Sequence, residues 1–130
     1  VGDDLLFEDR LDPICRWLEQ TRREGADLSP AQEVVEIIRG RGGEAIVNGE
    51  DVSDFEGAKR IVQSAIDEFG KLDVLVNNAG ILRDRVLVNM TEEEWDAVIH
   101  VHLKGHFAPT RWAAAYWREQ KKAGKDVKAS

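Results

Sequence analysis

Apolar positions recur along this chain with two periods, and each change of period marks an element. Behind Ser29-Pro30, an N-cap hydroxyl followed by a proline suited to the first helical position, Ala31, Val34, Val35 and Ile38 fall on one helical face that ends at Gly40. Gly42-Gly43 then turns the chain into a short predicted strand, Glu44 to Asn48. Phe55, Ala58, Ile61, Val62, Ala65, Ile66 and Phe69 form a second helical stripe, with Ser53 as its expected cap and Gly70 as its stop. Leu72 to Val76 has the length and β-branched content of a strand buried on both faces, and it breaks off in Asn77-Asn78-Ala79-Gly80. Thr91 and Glu94 have capping-box spacing. Helical pattern then runs through Trp95, Val98, Ile99, His102 and Leu103 to Gly124, with a kink expected near Gly105 and Pro109. At the other end, Asp12-Pro13 opens one more predicted helix, on which Ile14, Trp17, Leu18 and Thr21 share a face and Gly25 supplies the stop.

From Pro30 to Gly80 the predicted order is helix, strand, helix, strand. That is a parallel βαβ unit, and the fold class is α/β. In such sheets ligands sit beyond the carboxyl ends of strands. Asp51-Val52 and Asn77-Asn78-Ala79-Gly80 follow the two predicted strands, so they are the candidate site.

Composition narrows the class of partner. At 130 residues the chain suffices for one domain with a modest core. A net charge of −7 argues against a general nucleic-acid binder, which needs a basic face. The late basic run Arg118, Lys121, Lys122, Lys125 and Lys128 reads as a solvated helix end that complements its dipole. No apolar run nears the roughly 20 residues of a membrane span, and no signal-peptide pattern opens the chain. Cys15 is alone, which points to a reducing compartment, and a cytoplasmic location is the expectation.

Three blocks carry a family likeness: Asn48-Gly49-Glu50-Asp51-Val52-Ser53, Asn77-Asn78-Ala79-Gly80, and the run from Met90 to Gly105. In this order the chain resembles the middle of a short-chain dehydrogenase/reductase, over about residues 26 to 128. Ala79 to Arg85 together with Val101-His102-Leu103-Lys104-Gly105 is similar to the hydroxyacyl-CoA dehydrogenase region of multifunctional β-oxidation enzymes and their bacterial relatives. The resemblance implies an incomplete Rossmann-type, doubly wound parallel sheet that is rich in helix, and NAD or NADP as cofactor. It implies an alcohol or ketone substrate such as a 3-hydroxyacyl thioester. It places Asp51 at the adenine amino group, Val52 on the adenine ring, and Asn78, Ala79 and Gly80 beside the adenosine ribose. Asn77 would stabilise the strand end. His102 stands where the family has the Asn of its proton relay; it either holds a water there or serves as a hydrogen-bonded structural residue. His102 and His106 also have the i, i+4 spacing of metal ligands, without a nearby third ligand. The helix from Thr91 to Gly124 corresponds to the family's interface helix, and a homo-oligomer is the implied partner.

Other family features are not found in the sequence. Residues 1 to 25 hold only Gly2 and Gly25, so no glycine-rich phosphate turn forms there. Gly40-Arg41-Gly42-Gly43-Glu44-Ala45 fits G-x-G-x-x-A but lies after a helix and before a strand, the reverse of the needed order. Tyr116 is followed four residues on by Gln120 and five on by Lys121, so the Ser/Tyr/Lys set is not matched. Without a cation beside it, a phenol titrates near pH ~10. In the family's strand order the run from Glu44 is the third strand and that from Leu72 the fourth, about 14 Å apart; the first and second are not evident. These absences divide the chain into residues 1–25, a helical segment foreign to the family, and 26–130, a partial domain without activity of its own. A frameshift, an alternative start or a fusion would produce such a boundary; after a frameshift, another reading frame of the upstream DNA would encode the glycine-rich turn. The competing reading is an interaction module that uses Trp95, Trp112, Tyr116 and Trp117 on the long helix.

Overall fold

The computed structural model describes residues 16–20 and 29–130, which divide into two compact units after Asn48. In the first, strand β1 (Arg16–Gln20), helix α1 (Ser29–Gly40) and strand β2 (Glu44–Asn48) form a βαβ unit. The strands pair in parallel from Arg16↔Glu44 to Gln20↔Asn48. Ala31 and Val35 of α1 and Ala45 of β2 are buried, and the Arg39 guanidinium donates to the Ala45 carbonyl at 2.9 Å. Gly42, in the left-handed region at φ 86°, sends its N–H back to the Arg39 carbonyl and so closes α1.

The strand β1 corrects the predicted helix at Trp17 and Leu18. Five residues of β2 carry backbone groups that need a ladder partner, and β1 supplies it. That requirement outweighs the local spacing. The Asp12 cap, the Gly25 stop and the rest of that predicted helix lie outside the described residues.

The second unit opens with helix α2 (Phe55–Phe69). Its cap is Asp54, whose carboxylate accepts from the Gly57 N–H at 2.6 Å, and not Ser53 as expected. Ser53 lies one residue too early and is fully buried; its hydroxyl and N–H both donate to the Asp51 carboxylate, at 2.6 and 2.9 Å. Gly70, at φ 77°, ends the helix as expected. Ala58, Ile61, Val62 and Ala65 form its buried face.

Helix α3 (Glu92–Ile99) begins with the predicted Thr91–Glu94 capping box. A π turn, His100–Lys104, joins it to helix α4 (Gly105–Lys122). The irregularity expected at Gly105 and Pro109 thus falls just before them. Pro109 has no N–H and its ring crowds the Gly105 carbonyl, while the Gly105 N–H reaches back five residues to His100. Helices α2 and α4 lie against each other through small residues and aromatics. Phe55 and Trp112 have ring centroids 5.1 Å apart, and the Trp112 indole donates to the Phe55 carbonyl at 3.0 Å. Lys59 Nζ and Arg111 Cζ lie over the same indole, at 4.9 and 4.6 Å.

The run Leu72–Val76 departs from its prediction. It lies in an irregular stretch, with Val74 57% and Val76 69% exposed. Its ladder is one parallel bridge: the Ser130 N–H donates to the Asp73 carbonyl and the Leu75 N–H to the Ser130 carbonyl, both at 3.0 Å. A strand buried on both faces needs neighbours along its length, and among the described residues this run has a partner at one position.

Trp112 supplies both ring area and an indole bond to the α2 contact. Trp112→Phe is expected to cost about 1 kcal/mol, the worth of the hydrogen bond, and Trp112→Ala about 3 kcal/mol. Urea unfolding followed by far-UV circular dichroism checks both values and their order.

Candidate functional site

A segment with a strand neighbour at one position leaves most of its main-chain groups to other partners, water or side chains. The segment from Leu72 to Ile81 finds several of them on α4 and the π turn, in reverse sequence order. The Trp117 indole donates to the Leu72 carbonyl at 2.6 Å. The Asn77 side-chain amide donates to the Thr110 hydroxyl at 2.8 Å, and that hydroxyl donates to the His106 carbonyl at 2.7 Å. The His106 ring bridges the His102 carbonyl, through Nδ1, and the Asn77 carbonyl, through Nε2 at 3.0 Å. His102 Nε2 lies 2.8 Å from the Ile81 carbonyl and 3.1 Å from the Ile81 N–H.

This arrangement fixes the turn Asn77-Asn78-Ala79-Gly80 at both ends. Asn77 is held by α4 and Ile81 by the π turn, with Asn78, Ala79 and Gly80 strung between them. Gly80 owes its small size to His102: a Cβ there would meet His102 Cε1 at 2.8 Å. His102 is an exposed, hydrogen-bonded residue in this structure. Its ring centroid is 6.3 Å from that of His106, and the Nε2 atoms of the two rings face the carbonyls of Ile81 and Asn77. Among the described residues, no group of three or more His, Cys, Asp or Glu is placed to hold a metal ion.

The other candidates, Asp51 and Val52, sit in the turn that enters α2. The Asp51 carboxylate is held by Ser53, and its carbonyl accepts from the Asp54 N–H at 3.1 Å. Val52 is buried, and its Cγ2 lies 3.0 Å from where a Cβ on Gly105 would be. Val52 therefore joins the α2 turn to the start of α4. Tyr116 is half-buried on α4, one turn before Gln120. The spacing of residues flagged no role for His106 and Thr110 in holding the turn. The i, i+4, i+8 sequence His102, His106, Thr110 was the available signal, three polar side chains on one face of an otherwise mixed helix.

Electrostatics reach the site through Glu94. Its Oε2 accepts from the Thr91 N–H at 3.0 Å and its Oε1 from Arg85 at 2.7–2.8 Å, which ties the loop after Gly80 to the start of α3. The backbone N–H first, and the Arg85 guanidinium second, hold its carboxyl below the usual carboxylate range. Arg60 does the same for Glu50. No helix among the described residues is long and apolar enough to cross a membrane.

Comparison with known proteins matches these features to one family. A family model described as short chain dehydrogenase covers residues 24–129. The chain is 54% identical over 81 residues to "Hydroxyacyl-CoA dehydrogenase ChsB1" of Mycobacterium tuberculosis, which is 62% of this chain and 25% of that protein. It is 44% identical over 98 residues to "Peroxisomal hydratase-dehydrogenase-epimerase" of Neurospora crassa, 75% of this chain and 11% of that one. A short chain dehydrogenase from Mycobacterium avium superposes with a TM-score of 0.81 at 52% identity, over 88% of this chain and 42% of its own. The chain thus spans a quarter or less of these two curated relatives and under half of the solved one.

Because the folded state holds the Glu94 carboxyl low, its contribution is complete above about pH 4.3, the ordinary Glu value, and is lost as pH falls through the depressed one. The Thr91 amide and Arg85 Nε resonances are expected to shift together on acidification. In Glu94→Gln that joint acid response disappears, as two-dimensional NMR between pH 7 and pH 3 would read.

Proposed function

The chain belongs to the short chain dehydrogenase family, and from that premise we propose that it carries the adenosine-side part of a nicotinamide-nucleotide fold from a hydroxyacyl-CoA dehydrogenase. The observation that carries this reading is the 54% identity to a protein named for that activity. Members of the family generally use NAD or NADP, and the same pair is proposed here. The proposed sheet is an incomplete doubly wound one, with β1 and β2 in the places of its second and third strands and Leu72–Val76 in that of the fourth. Asp51 and Val52 are assigned to the adenine, and Asn78, Ala79 and Gly80 to the adenosine ribose. The anchoring of Asn77 and Ile81 supports the second assignment, because it presents the three small residues between two fixed points. Val52 is buried against Gly105, so in this reading the turn around it, more than its own side chain, faces the adenine.

The diphosphate and the reacting end fit less well. Among the described residues the one glycine-rich turn, Gly40 to Gly43, closes α1 and leads into β2, so its N–H groups do not open a helix toward an anion. Tyr116 has Gln120 one turn on. We assign this chain no turnover of its own. The whole enzyme's proposed substrate is a 3-hydroxyacyl-CoA or a similar alcohol or ketone.

Contacts confined to adenosine make a specific expectation. Calorimetric titration should give NAD and AMP similar, weak affinities, about millimolar, and a nicotinamide absorbance assay with 3-hydroxyacyl-CoA should show no turnover. Binding of NAD far tighter than AMP would overturn the adenosine assignment, and clear turnover would overturn the inactivity.

A second reading is favoured by the stripe Trp95, Ile99, Leu103 and Phe107, which stays 54%, 37%, 67% and 57% exposed. Such a stripe suits self-association through the helical stretch from Thr91 to Gly124. Trp112 and Trp117, the other aromatics expected on that surface, direct their indole N–H groups to internal carbonyls instead. Sedimentation velocity should show an assembly that grows with concentration and that Leu103→Glu returns to monomer; a wild-type monomer at every concentration would eliminate this reading.

A further inference from the structure

We propose that Gly80 is a positioning residue that acts on bound adenosine through His102. The space left by its missing side chain admits the imidazole ring, and the ring in turn holds Ile81 at the end of the turn. The inference rests on the adenosine reading for the identity of the ligand alone.

A position demands glycine for one of three reasons: a left-handed backbone, a neighbour in the way of a Cβ, or a ligand in the way of one. The first does not hold at position 80. Gly42, Gly70 and Gly124 stand at φ 86°, 77° and 79°, whereas Gly80 lies outside that region. The backbone there would take an alanine as it stands. The second reason does hold. A Cβ on Gly80 would lie 2.8 Å from His102 Cε1, 3.3 Å from Nε2 and 3.6 Å from Nδ1. The side-chain direction of Gly80 is thus filled by the nitrogen-bearing edge of an imidazole, which leaves a ligand no room on that side.

The same edge secures the end of the turn. His102 Nε2 lies 2.8 Å from the Ile81 carbonyl and 3.1 Å from the Ile81 N–H. As an N–H it donates to the first, and as a bare nitrogen it accepts from the second, so either tautomer has a partner. A methyl on residue 80 and the Ile81 main chain therefore compete for one edge of one ring. Carbon atoms pack at roughly 3.5–4.0 Å, so one side of the 2.8 Å contact must move. The main chain before Gly80 is tied at Asn77 by Thr110 and His106. The ring is the far end of an exposed side chain with two free torsions. It is the ring that yields, and Ile81 loses its partner.

A double-mutant cycle tests this with four 130-residue chains labelled with 15N and 13C: wild type, Gly80→Ala, His102→Ala and the double variant. Without nucleotide, Gly80→Ala is expected to shift the His102 ring signals and the Ile81 carbonyl carbon. In His102→Ala the added methyl is expected to leave the Ile81 carbonyl carbon where it was. AMP titrated into the same samples should bind both single variants more weakly than wild type, and the double variant no more weakly than His102→Ala. A Gly80→Ala chain whose His102 and Ile81 signals match wild type would overturn the proposal. A further loss of AMP affinity when the methyl is added to His102→Ala would overturn it too, because the methyl would then meet the nucleotide itself. Should Gly80→Ala fail to fold, folding becomes the readout: a folded double variant supports the pair, and an unfolded one beside a folded His102→Ala defeats it. AMP that binds none of the four chains would end the adenosine reading, while the carbonyl and ring signals still decide the pair.

Discussion

In the second unit, side-chain donors on one long helical stretch take the place of a strand ladder, and the candidate turn depends on them. The segment from Leu72 to Ile81 is irregular, and most of its length has no strand beside it. Trp117, His106 and His102 meet its carbonyls at 72, 77 and 81 in turn, with Thr110 holding the Asn77 side chain. Each bond to a side chain costs rotamer freedom that a ladder of backbone bonds would not. The result is a segment pinned at intervals, with its valines left in solvent. The candidate turn inherits its shape from these pins.

Missing Cβ atoms let the pinned segment and the two helices approach. At Gly57 a Cβ would come within 2.9 Å of the Asp51 carbonyl, at Gly80 within 2.8 Å of the His102 ring, and at Gly105 within 3.0 Å of Val52. These contacts run in a chain. The Asp51–Ser53 turn sits on the first turn of α2, Val52 sits on the first turn of α4, and the residues just before Gly105 hold Ile81. A change at Gly105 would therefore be felt in both halves of the candidate site, because core side chains have little room to yield.

Much of this was legible in the residues. The stripes of α1 and α2, the Gly70 stop and the Thr91–Glu94 box depend on interactions within a few residues of one another. Those interactions survive whatever the rest of the chain does. The misreadings share a different physics. Trp17 and Leu18 suit either a helix face or a strand, and the choice lay with β2, more than twenty residues away. Leu72–Val76 has strand composition, but a strand is a property of neighbours as much as of residues. Ser53 and Asp54 are both good caps, and Asp51 settled the matter by taking the Ser53 hydroxyl. In the candidate site, the Asn77–Gly80 block announced itself by composition. The role of His106 did not, because it depends on which carbonyls the folded backbone brings to its ring.

The π turn carries a consequence for variation in length. Relative to a continuous α-helix, a turn closed by bonds to the fifth residue back accommodates one extra residue. Removing one residue between His100 and Lys104 would restore ordinary winding there and leave the helix on either side facing as it does now, because the turn had absorbed the extra residue. The same deletion between Trp95 and Ile99, where the winding is already regular, would swing everything upstream by about 100° around the axis. Trp95 would leave the line it shares with Ile99, Leu103 and Phe107, and the Glu94 hinge to Arg85 would be dragged sideways. The π turn is thus a place where this helical stretch can change length by one residue and keep its faces aligned.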